Sequence, residues 1–501
     1  MDCRIFHPTS SQDFIPGLAI GQRYRHTFGD TRLSRRYVRL LNQMAIKQSV
    51  VIHQLCTKRR EQAGFYRFVN NSRVKLEELI HENCHISEGL VKDRDILILQ
   101  DSTAVSLRSK LKKRAAWASN IGVLEDNRTP GFYLHCSLVI DRASHSVIGL
   151  GDTVVYTRPL NMGTKEEKAF GRVKRRELPL EEQESFVWPL GTFNSSKQLN
   201  CARRFTTVMD QGGDKYEVLM RILADPARHV IVRSKEDRKV VDASSRPQNR
   251  LSGLLALQPW VDTRRVPIRA LNHYSKSNGC MVQRQTRNAQ FSIRYTKVQL
   301  DRPAGYALSK PRLERMLYVV EVKEASHTVP EGEQPIHWRL ISSWPIENIE
   351  QAWQVVESYQ SRWHIEQLFR VFKKQGLCVE DSQIKHPQSI KKQAVMALKI
   401  ATKAMQLTLA RDGEEFIPIE TMFDDNQQQA LIKLNEKLKG TTQKQSNPHP
   451  QNSLAWAAWV VARLGGWKGY KSQRPPGPIT MKRGLQDLEK FIWAWRLIND
   501  T

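Results

Sequence analysis

Hydrophobic and polar positions follow a helical period in residues 1–90. From Thr31 onward, apolar side chains recur three or four positions apart, which places them on one face of a helix. These side chains are Leu33, Tyr37, Leu40, Leu41 and Met44. A separate stripe of the same helix carries only arginine, at Arg32, Arg35, Arg36 and Arg39. The pattern predicts a helical region in which one face packs and the other face is cationic.

Beyond this region the pattern changes to that of strands. Ile96 to Leu99 form an unbroken apolar run just before Asp101, as expected of a strand buried on both faces. A second short run, Phe205 to Met209, precedes Asp210. Two further runs predict an antiparallel pair, Tyr133 to Ile140 and Val147 to Tyr156. We therefore expect Asp101 and Asp210 at the C-terminal ends of two strands.

The remaining pattern divides the chain into five predicted units. Alternating apolar residues indicate a β-rich insertion, whereas a helical period begins at Ile349 and continues to Gln375. The units are a helical N-terminal DNA-binding region (1–90), the first part of an α/β core (91–235), the insertion (236–345), an acidic helix of the core (346–380) and a helical C-terminal region (381–501). The predicted fold class is thus α/β.

The net charge of the chain indicates the kind of partner that it binds. The chain has 501 residues, with 78 Lys plus Arg against 51 Asp plus Glu, and the net charge of +27 indicates a polyanionic partner. With 40% apolar residues the chain is not a disordered basic tail. Seven cysteines without a CxxC pair exclude a disulfide framework, and no apolar run is long enough to span a membrane. We expect a cytoplasmic protein without a membrane partner or a small-molecule cofactor.

The Ile349–Gln375 segment carries the most distinctive set of polar residues. At 100° per residue, Tyr359, Arg362, Glu366 and Lys373 share a narrow arc of the predicted helix. A carboxylate there lies between a phenol and two cations. An ordinary amphipathic helix with a solvated face remains the alternative.

Three carboxylates are candidates for metal binding. Asp101, Asp210 and Glu366 are separated along the chain, but two strand ends and a helix can bring such groups together. Two or three carboxylates can hold a pair of divalent cations for phosphoryl transfer. Hard oxygen ligands favour Mg²⁺, for which Mn²⁺ can substitute, over zinc.

A competing motif lies in the N-terminal region. His81-Glu82-Asn83-Cys84-His85 matches HExxH, which in a metallopeptidase would bind zinc through His81 and His85. The motif is short, and no third ligand follows at a typical spacing. A surface helix is the favoured interpretation of this segment.

Several short motifs resemble a cut-and-paste DDE transposase of the insertion-sequence-four family, the group that releases its element through hairpinned ends. The motifs are Gly64-Phe65-Tyr66-Arg67-Phe68, Gln100-Asp101-Ser102-Thr103, Gly131-Phe132-Tyr133-Leu134-His135, Asp210 to Asp214, Arg233-Ser234-Lys235, the Tyr359-Arg362-Glu366-Lys373 set and Ala462-Arg463-Leu464-Gly465-Gly466. The motifs occur in the family's order and are distributed over nearly the whole chain. The resemblance implies an RNase H-like mixed-sheet core interrupted by a β-rich insertion.

The resemblance also implies roles for individual residues. Asp101, Asp210 and Glu366 would be the catalytic metal ligands, and Tyr359, Arg362 and Lys373 would hold DNA phosphates. Trp338 would stack on a flipped base, with Trp363 as a second candidate, although packing alone is an equally good interpretation of either tryptophan. The partners implied are element ends, a target duplex and a second copy of the chain in the DNA complex, in a prokaryotic nucleoid.

One departure from the family leaves a second function open. The family usually has Arg-Glu-Ala-Asp after the second acid, but here Gln211-Gly212-Gly213-Asp214 follows Asp210. A catalytically silent DNA-binding protein that binds or represses related element ends is the main alternative. A nonspecific nuclease is a third possibility.

Overall fold

The computed structural model describes residues 28–88, 90–107, 121–158, 178–241, 250–268, 270–275, 280–303, 312–373, 376–413, 416–440, 445–470 and 473–499. Over these residues the chain has a mixed α/β structure, in which helices pack on one large mixed sheet. This confirms the predicted α/β class.

The helices lie in three groups along the chain. The N-terminal helices are α1 (Thr31–Lys47), α2 (Ile52–Leu55), α3 (Arg59–Asn70) and α4 (Leu76–Glu88). The central helices are α5 (Val187–Gln198), α6 (Tyr216–Leu223), α7 (Leu251–Ala256), α8 (Ile349–Gln360) and α9 (Trp363–Phe372). The C-terminal helices are α10 (Pro387–Ala410), α11 (Asp425–Leu438), α12 (Leu454–Leu464) and α13 (Pro478–Asn499). Short 3₁₀ turns are Leu180–Glu182, Glu184–Phe186, Ser326–Thr328, Val379–Asp381 and Ile419–Thr421.

The strands occupy the middle of the chain. They are β1 (Asp95–Ser106), β2 (Gly122–Val123), β3 (Pro130–Asp141), β4 (Val147–Tyr156), β5 (Arg204–Met209), β6 (Arg228–Arg233), β7 (Val240–Val241), β8 (Asp262–Ile268), β9 (Leu271–Ser275), β10 (Cys280–Arg284), β11 (Arg287–Leu300), β12 (Leu317–Glu324) and β13 (His337–Ser342). The main sheet has the order β2-β3-β1-β5-β6-β13-β12-β11-β7, with β4 on β3 and β8 on β11. β9 and β10 form a separate hairpin.

The sheet changes direction along its width. β3 pairs antiparallel with both β1 and β4, whereas β1, β5 and β6 are mutually parallel. β13 then pairs antiparallel with β6, β12 pairs antiparallel with β13, and β11 pairs antiparallel with β12. The strands predicted within 236–345 therefore continue the sheet of residues 91–235.

Helix α1 confirms the two stripes predicted from the sequence. Asp30 caps its N-terminus by accepting a hydrogen bond from the Arg32 amide at 2.8 Å. Tyr37 and Met44 on the apolar stripe are fully buried. The four arginines of the second stripe are exposed. One of them, Arg39, pairs with Glu61 at 2.7 Å.

Strand β1 is longer than the apolar run that predicts it. Ile96 to Leu99 are buried, as expected, but β1 continues to Ser106. Asp101 therefore lies inside the strand and not at its end. The reason is that β1 stays paired with β3 after its parallel pairing with β5 ends at Leu99.

The helix predicted from Ile349 to Gln375 is interrupted. α8 ends at Gln360, and α9 begins at Trp363. Ser361 lies at the break, where its hydroxyl donates to the Glu357 carbonyl at 3.2 Å and contacts His145 Nδ1 at 2.8 Å. A serine that bonds back to the preceding turn competes with the regular helical ladder. The prediction of one continuous helix was wrong at this point.

The C-terminal helices share a core with the N-terminal ones. α10 is buried along most of its length and packs against α1, α3 and α4. Trp456 and Trp459 of α12 are buried in this core, whereas Trp493 of α13 is exposed. None of the helices in the described part of the chain is long and apolar enough to cross a lipid bilayer.

We expect Lys399→Met to stabilise the fold at pH 7 by about 1 kcal/mol. Burial lowers the pKa of Lys399 to about 7, so the folded state destabilises its protonated form, although its ammonium group donates to the Glu82 carbonyl at 3.2 Å. Because the unfolded chain binds this proton more tightly, wild-type stability rises with pH from about 7 towards the ordinary lysine pKa. Urea unfolding at pH 7 and pH 9 measures both effects. A variant with unchanged pH dependence would contradict this assignment.

Candidate active site

Asp101 and Asp210 lie at the same level of neighbouring parallel strands. Leu99 of β1 pairs with Val208 of β5, so two positions further along each strand bring the two aspartates side by side. Parallel strands are about 4.8 Å apart. Leu99 and Val208 belong to the core cluster that also contains residues of α9, and α9 contacts β1. The sheet register therefore places two carboxylates next to each other.

The Asp101 carboxyl group has a strongly altered acidity. Burial and the neighbouring Asp210 carboxylate raise the pKa of Asp101 to about 7. Two groups oppose this rise: Arg362 Nη1 donates to Asp101 Oδ2 at 3.1 Å, and the Ser102 amide donates to Asp101 Oδ1 at 2.7 Å. Perturbed carboxyl groups in clefts are typical of catalytic and metal-binding sites.

Arg362 joins Asp101 to the third predicted acid. It lies at the break between α8 and α9, and its Nη2 donates to Glu366 Oε1 one turn further on. Burial alone would lower the pKa of Arg362, but Glu366, Tyr359 and Asp101 raise it overall. The guanidinium group is 15% exposed and remains charged. Glu366 is thus linked to Asp101 through the guanidinium group of Arg362.

Two aromatic side chains lie beside this group. Tyr359 of α8 is buried, and its ring meets that of Trp338 edge to face with centroids 5.3 Å apart. Burial raises the pKa of Tyr359, while Arg362 and Arg233 lower it and Asp210 raises it further. These interactions place the end of β6, which carries Arg233, close to the acidic group.

The donor set fits a hard divalent cation at Asp101 and Asp210. Both are oxygen donors, and the repulsion that raises the pKa of Asp101 would be relieved by a bound cation. Among the described residues, no three His, Cys, Asp or Glu side chains lie close enough to form a complete metal-binding group. Glu366 also raises the pKa of Asp101, and Arg362 donates hydrogen bonds to both carboxylates.

The loop after Asp210 contains two glycines that pack closely against their neighbours. The Gly212 amide donates to Asp210 Oδ1 at 2.7 Å. A Cβ atom at Gly212 would lie 2.9 Å from Asp210 Oδ1 and 3.1 Å from the Trp188 ring, and one at Gly213 would lie 2.7 Å from Met209. The two glycines are therefore required by close packing around the second aspartate.

Asp214 ends this loop as a structural anchor. Its carboxylate is fully buried and accepts hydrogen bonds from the Lys235 amide at 2.7 Å and from Arg238 Nε at 2.9 Å. The bonds tie the loop after β5 to the segment after β6. Asp214 thus holds together the two strand ends that carry Asp210 and Arg233.

An open cleft of about 1220 Å³ extends from Arg362 between α9, β8, β13 and residues 465–483. Six arginines line it: Arg284, Arg362, Arg370, Arg411, Arg474 and Arg483. Its aromatic residues are Phe291, Trp338, Tyr359, Trp363 and Trp467. No aspartate or glutamate is found among the described residues that line the cleft. A cationic, aromatic cleft of this kind suits a nucleic acid strand.

The structure groups most of the predicted site residues. Trp338, Tyr359, Arg362 and Trp363 line the cleft, and Arg362 connects it to Asp101 and Glu366. Lys373 is the residue that follows α9 and is not among the described lining residues. The exposed arginine stripe lies on a separate element, α1.

Sequence reasoning missed several residues of the site. Arg233 was part of a motif but received no role, although it ends a strand whose apolar run is the next one after the run that precedes Asp210. Arg370 is one turn after Glu366 on α9 and could have been found by helical spacing. Arg474 and Arg483 had no local signal, because the fold brings them from the C-terminal region.

The HExxH segment lies on α4. His81 Nδ1 is 3.2 Å from the Gln198 amide nitrogen. The side chain of His85 lies outside the described residues. The favoured interpretation of this segment as a helix is confirmed.

A comparison with known protein families identifies the N-terminal region. Residues 24–74 match the family described as Transposase DNA-binding. The match includes α1, α2 and α3, and therefore the exposed arginine stripe. The chain thus contains a transposase DNA-binding region, which indicates DNA as a partner and a transposase-like role.

Proposed function

We propose that the chain is a cut-and-paste transposase of the hairpin-forming, insertion-sequence-four type, with Asp101, Asp210 and Glu366 as its catalytic acids. The observation that carries the proposal is the level placement of two carboxylates on parallel strands, joined by Arg362 to a third on the adjoining helix. The transposase DNA-binding match at residues 24–74 supports the same reaction class.

The sheet supports the RNase H-like core and the domain layout that the resemblance implies. β1 carries Asp101, Asp210 directly follows β5, β6 ends at Arg233, and α9, which carries Glu366, contacts β1. The strands between β6 and α8 correspond to the proposed insertion at 236–345. We propose 1–90 as the DNA-binding region, 91–235 and 346–380 as the core, and 381–501 as a region for dimerisation and DNA contact.

The three acids would hold Mg²⁺, for which Mn²⁺ could substitute. When bound, the metal supplies activation of the attacking oxygen and stabilisation of the leaving oxygen in an in-line displacement at phosphorus. Arg362 holds Asp101 and Glu366 in place through two charge-assisted hydrogen bonds. Arg362 also lines the cleft, where its planar guanidinium group can donate to a phosphate.

The cleft provides the binding site for the cleaved DNA end. Tyr359 and Trp363 line its inner wall beside Arg362, and Lys373 would add a phosphate contact at the end of α9. Trp338 is held edge-on by Tyr359, which orients its ring for stacking on an unpaired base. Arg370 adds a cation that the sequence analysis did not assign.

The proposed reaction proceeds by successive displacements in one site. Water cleaves one strand at the element end, and the released 3′-hydroxyl attacks the opposite strand to form a hairpin. A second water opens the hairpin, and the 3′ end then joins target DNA. We further propose that two copies of the chain act together on paired ends, in the nucleoid of a prokaryotic cytoplasm.

The decisive experiment uses labelled DNA that carries the short inverted repeats flanking the gene. Purified chain with Mg²⁺ should nick these ends, form hairpins and open them. Binding without cleavage under Mg²⁺ or Mn²⁺ would favour the catalytically silent protein. Equal cleavage of DNA that lacks the repeats would indicate a nonspecific nuclease.

The arginine stripe gives a separate prediction about DNA affinity. If Arg35 and Arg36 contact phosphates, their double replacement by alanine should reduce the slope of log affinity against log salt by about 1.8. Both side chains are exposed on α1 within the DNA-binding match. Gel shifts over a salt series measure the slope. Arg221→Ala, on a distant exposed surface where Arg221 pairs with Glu181, is the control and should leave it unchanged. An unchanged slope in the double variant would exclude these phosphate contacts.

A further inference from the structure

Trp188 lies behind the acidic group, on the other face of the sheet. It is the second residue of α5 and is 7% exposed. Successive side chains of a strand point to opposite faces, so Ser102 and its cross-strand partner His135 face away from the Asp101 carboxylate. Trp188 packs against this opposite face.

A first chain of contacts runs from Trp188 to Asp101. The rings of Trp188 and His135 meet edge to face, with centroids 4.6 Å apart at 73°. His135 Nδ1 contacts Ser102 Oγ at 2.9 Å, and His135 is completely buried. The Ser102 amide in turn donates to Asp101 Oδ1 at 2.7 Å. The tryptophan therefore fixes the residue that holds the first carboxylate.

A second chain of contacts runs from the same indole to Asp210. Gly212 packs so closely that an added Cβ would lie 3.1 Å from Trp188 Cζ2. The Gly212 amide donates to Asp210 Oδ1 at 2.7 Å. The indole ring therefore also determines how closely the Gly212 amide can approach the second carboxylate.

We propose that Trp188 is a positioning residue that sets the separation of the Asp101 and Asp210 carboxylates for a divalent cation. Through His135 and Gly212 it supports the amide donor of each acid. This inference rests on the proposed function, because it assigns the pair of aspartates to metal binding. Residues that orient metal ligands typically change metal affinity by 10- to 100-fold when they are replaced.

The alternative is that Trp188 only fills space in the core. In that case its replacement would lower stability and leave metal affinity unchanged. Stability and metal affinity must therefore be measured on the same variants. Trp456→Phe is a matched control, since Trp456 is also a buried helical tryptophan but lies in the C-terminal core.

The test is Mn²⁺ binding to the full chain on end DNA, followed by electron paramagnetic resonance of the free ion. Trp188→Ala should weaken Mn²⁺ binding about tenfold, and Trp188→Phe should restore most of it because a phenyl ring can still meet His135. Gly212→Ala should also weaken binding, because its Cβ would displace the Asp210 carboxylate. Gly253→Ala is the control glycine, since a Cβ there meets nothing within 4 Å.

The outcomes separate this inference from the proposed function. Unchanged Mn²⁺ affinity in Trp188→Ala and Gly212→Ala, with cleavage by the wild-type chain, would overturn the positioning role alone. Weakened affinity in both variants, without any cleavage by the wild-type chain, would support the positioning role and overturn the transposase activity. Absence of Mn²⁺ binding by the wild-type chain would overturn both.

Discussion

Glu366→Gln should reduce cleavage of element ends by about 1000-fold, or ~4 kcal/mol in the activation barrier, while DNA binding is retained. The amide keeps the size of the side chain but loses the negative charge that pairs with Arg362 and that a metal ligand requires. End binding depends on other surfaces, above all the DNA-binding region at residues 24–74. Cleavage rates on labelled ends and gel shifts on the same ends measure the two effects separately.

The preceding helix, α8, offers a matched control variant. Glu357 of α8 is about half exposed and pairs with Arg264 at 3.5 Å, so Glu357→Gln removes a charge near the site without touching the acidic group. Cleavage by this variant should equal that of the wild-type chain. Undiminished cleavage in Glu366→Gln would remove Glu366 from the mechanism.

Arg362→Gln should lower the free energy of unfolding by about 2–3 kcal/mol at pH 8, and by less at pH 5. The replacement leaves the carboxylates of Asp101 and Glu366 without their shared cation. Because Arg362 opposes the rise in the pKa of Asp101 to about 7, its loss should raise that pKa further. A folded-state pKa above the unfolded one means that the folded state binds the proton more tightly, so stability falls as pH rises through this range. Protonation at pH 5 should therefore relieve most of the loss.

Unfolding in urea at the two pH values tests this prediction. The double variant Arg362→Gln, Asp101→Asn should recover part of the stability at pH 8, because it removes one of the unpaired charges. Arg264→Gln removes a partly exposed arginine from a surface network and should cost less than about 1 kcal/mol at either pH. Equal losses at pH 5 and pH 8 would show that Arg362 does not control the ionisation of Asp101.

Cleavage by Arg362→Gln should fall by about 100-fold even where the variant is folded. Arg362 both holds two of the acids and faces the cleft. Arg362→Lys should recover only part of this activity, since an ammonium group cannot reproduce two donors in a fixed plane.

The elements with a clear period were predictable from the sequence. The apolar stripe of α1 packs inward and its arginines face solvent, because side-chain direction in a helix depends only on spacing. β1 and β5 were predictable for a similar reason, since short apolar runs next to turn residues favour buried strands. The break at Ser361 was missed because it depends on a contact with His145, far away in the chain.

The hydrogen-bond partners and pKa values of the individual acids could not be predicted from the sequence. Sequence position suggested three separate carboxylates, but not that Arg362 would link two of them or that Asp101 would have a pKa of about 7. Nor did it indicate that Gly212 and Gly213 pack closely against Trp188 and Met209.

Residue types and their local spacing were therefore enough to indicate which segments are helices and strands, which faces are buried, and which acids to examine. How close those acids lie to one another, and how they interact, was determined by the fold. Asp101 and Arg362 are 261 positions apart, and they meet because β1 pairs with β5 in one register and α9 contacts β1. Burial and the electrostatic interactions of a carboxyl group depend on such long-range neighbours, so they are determined only when the sheet is assembled.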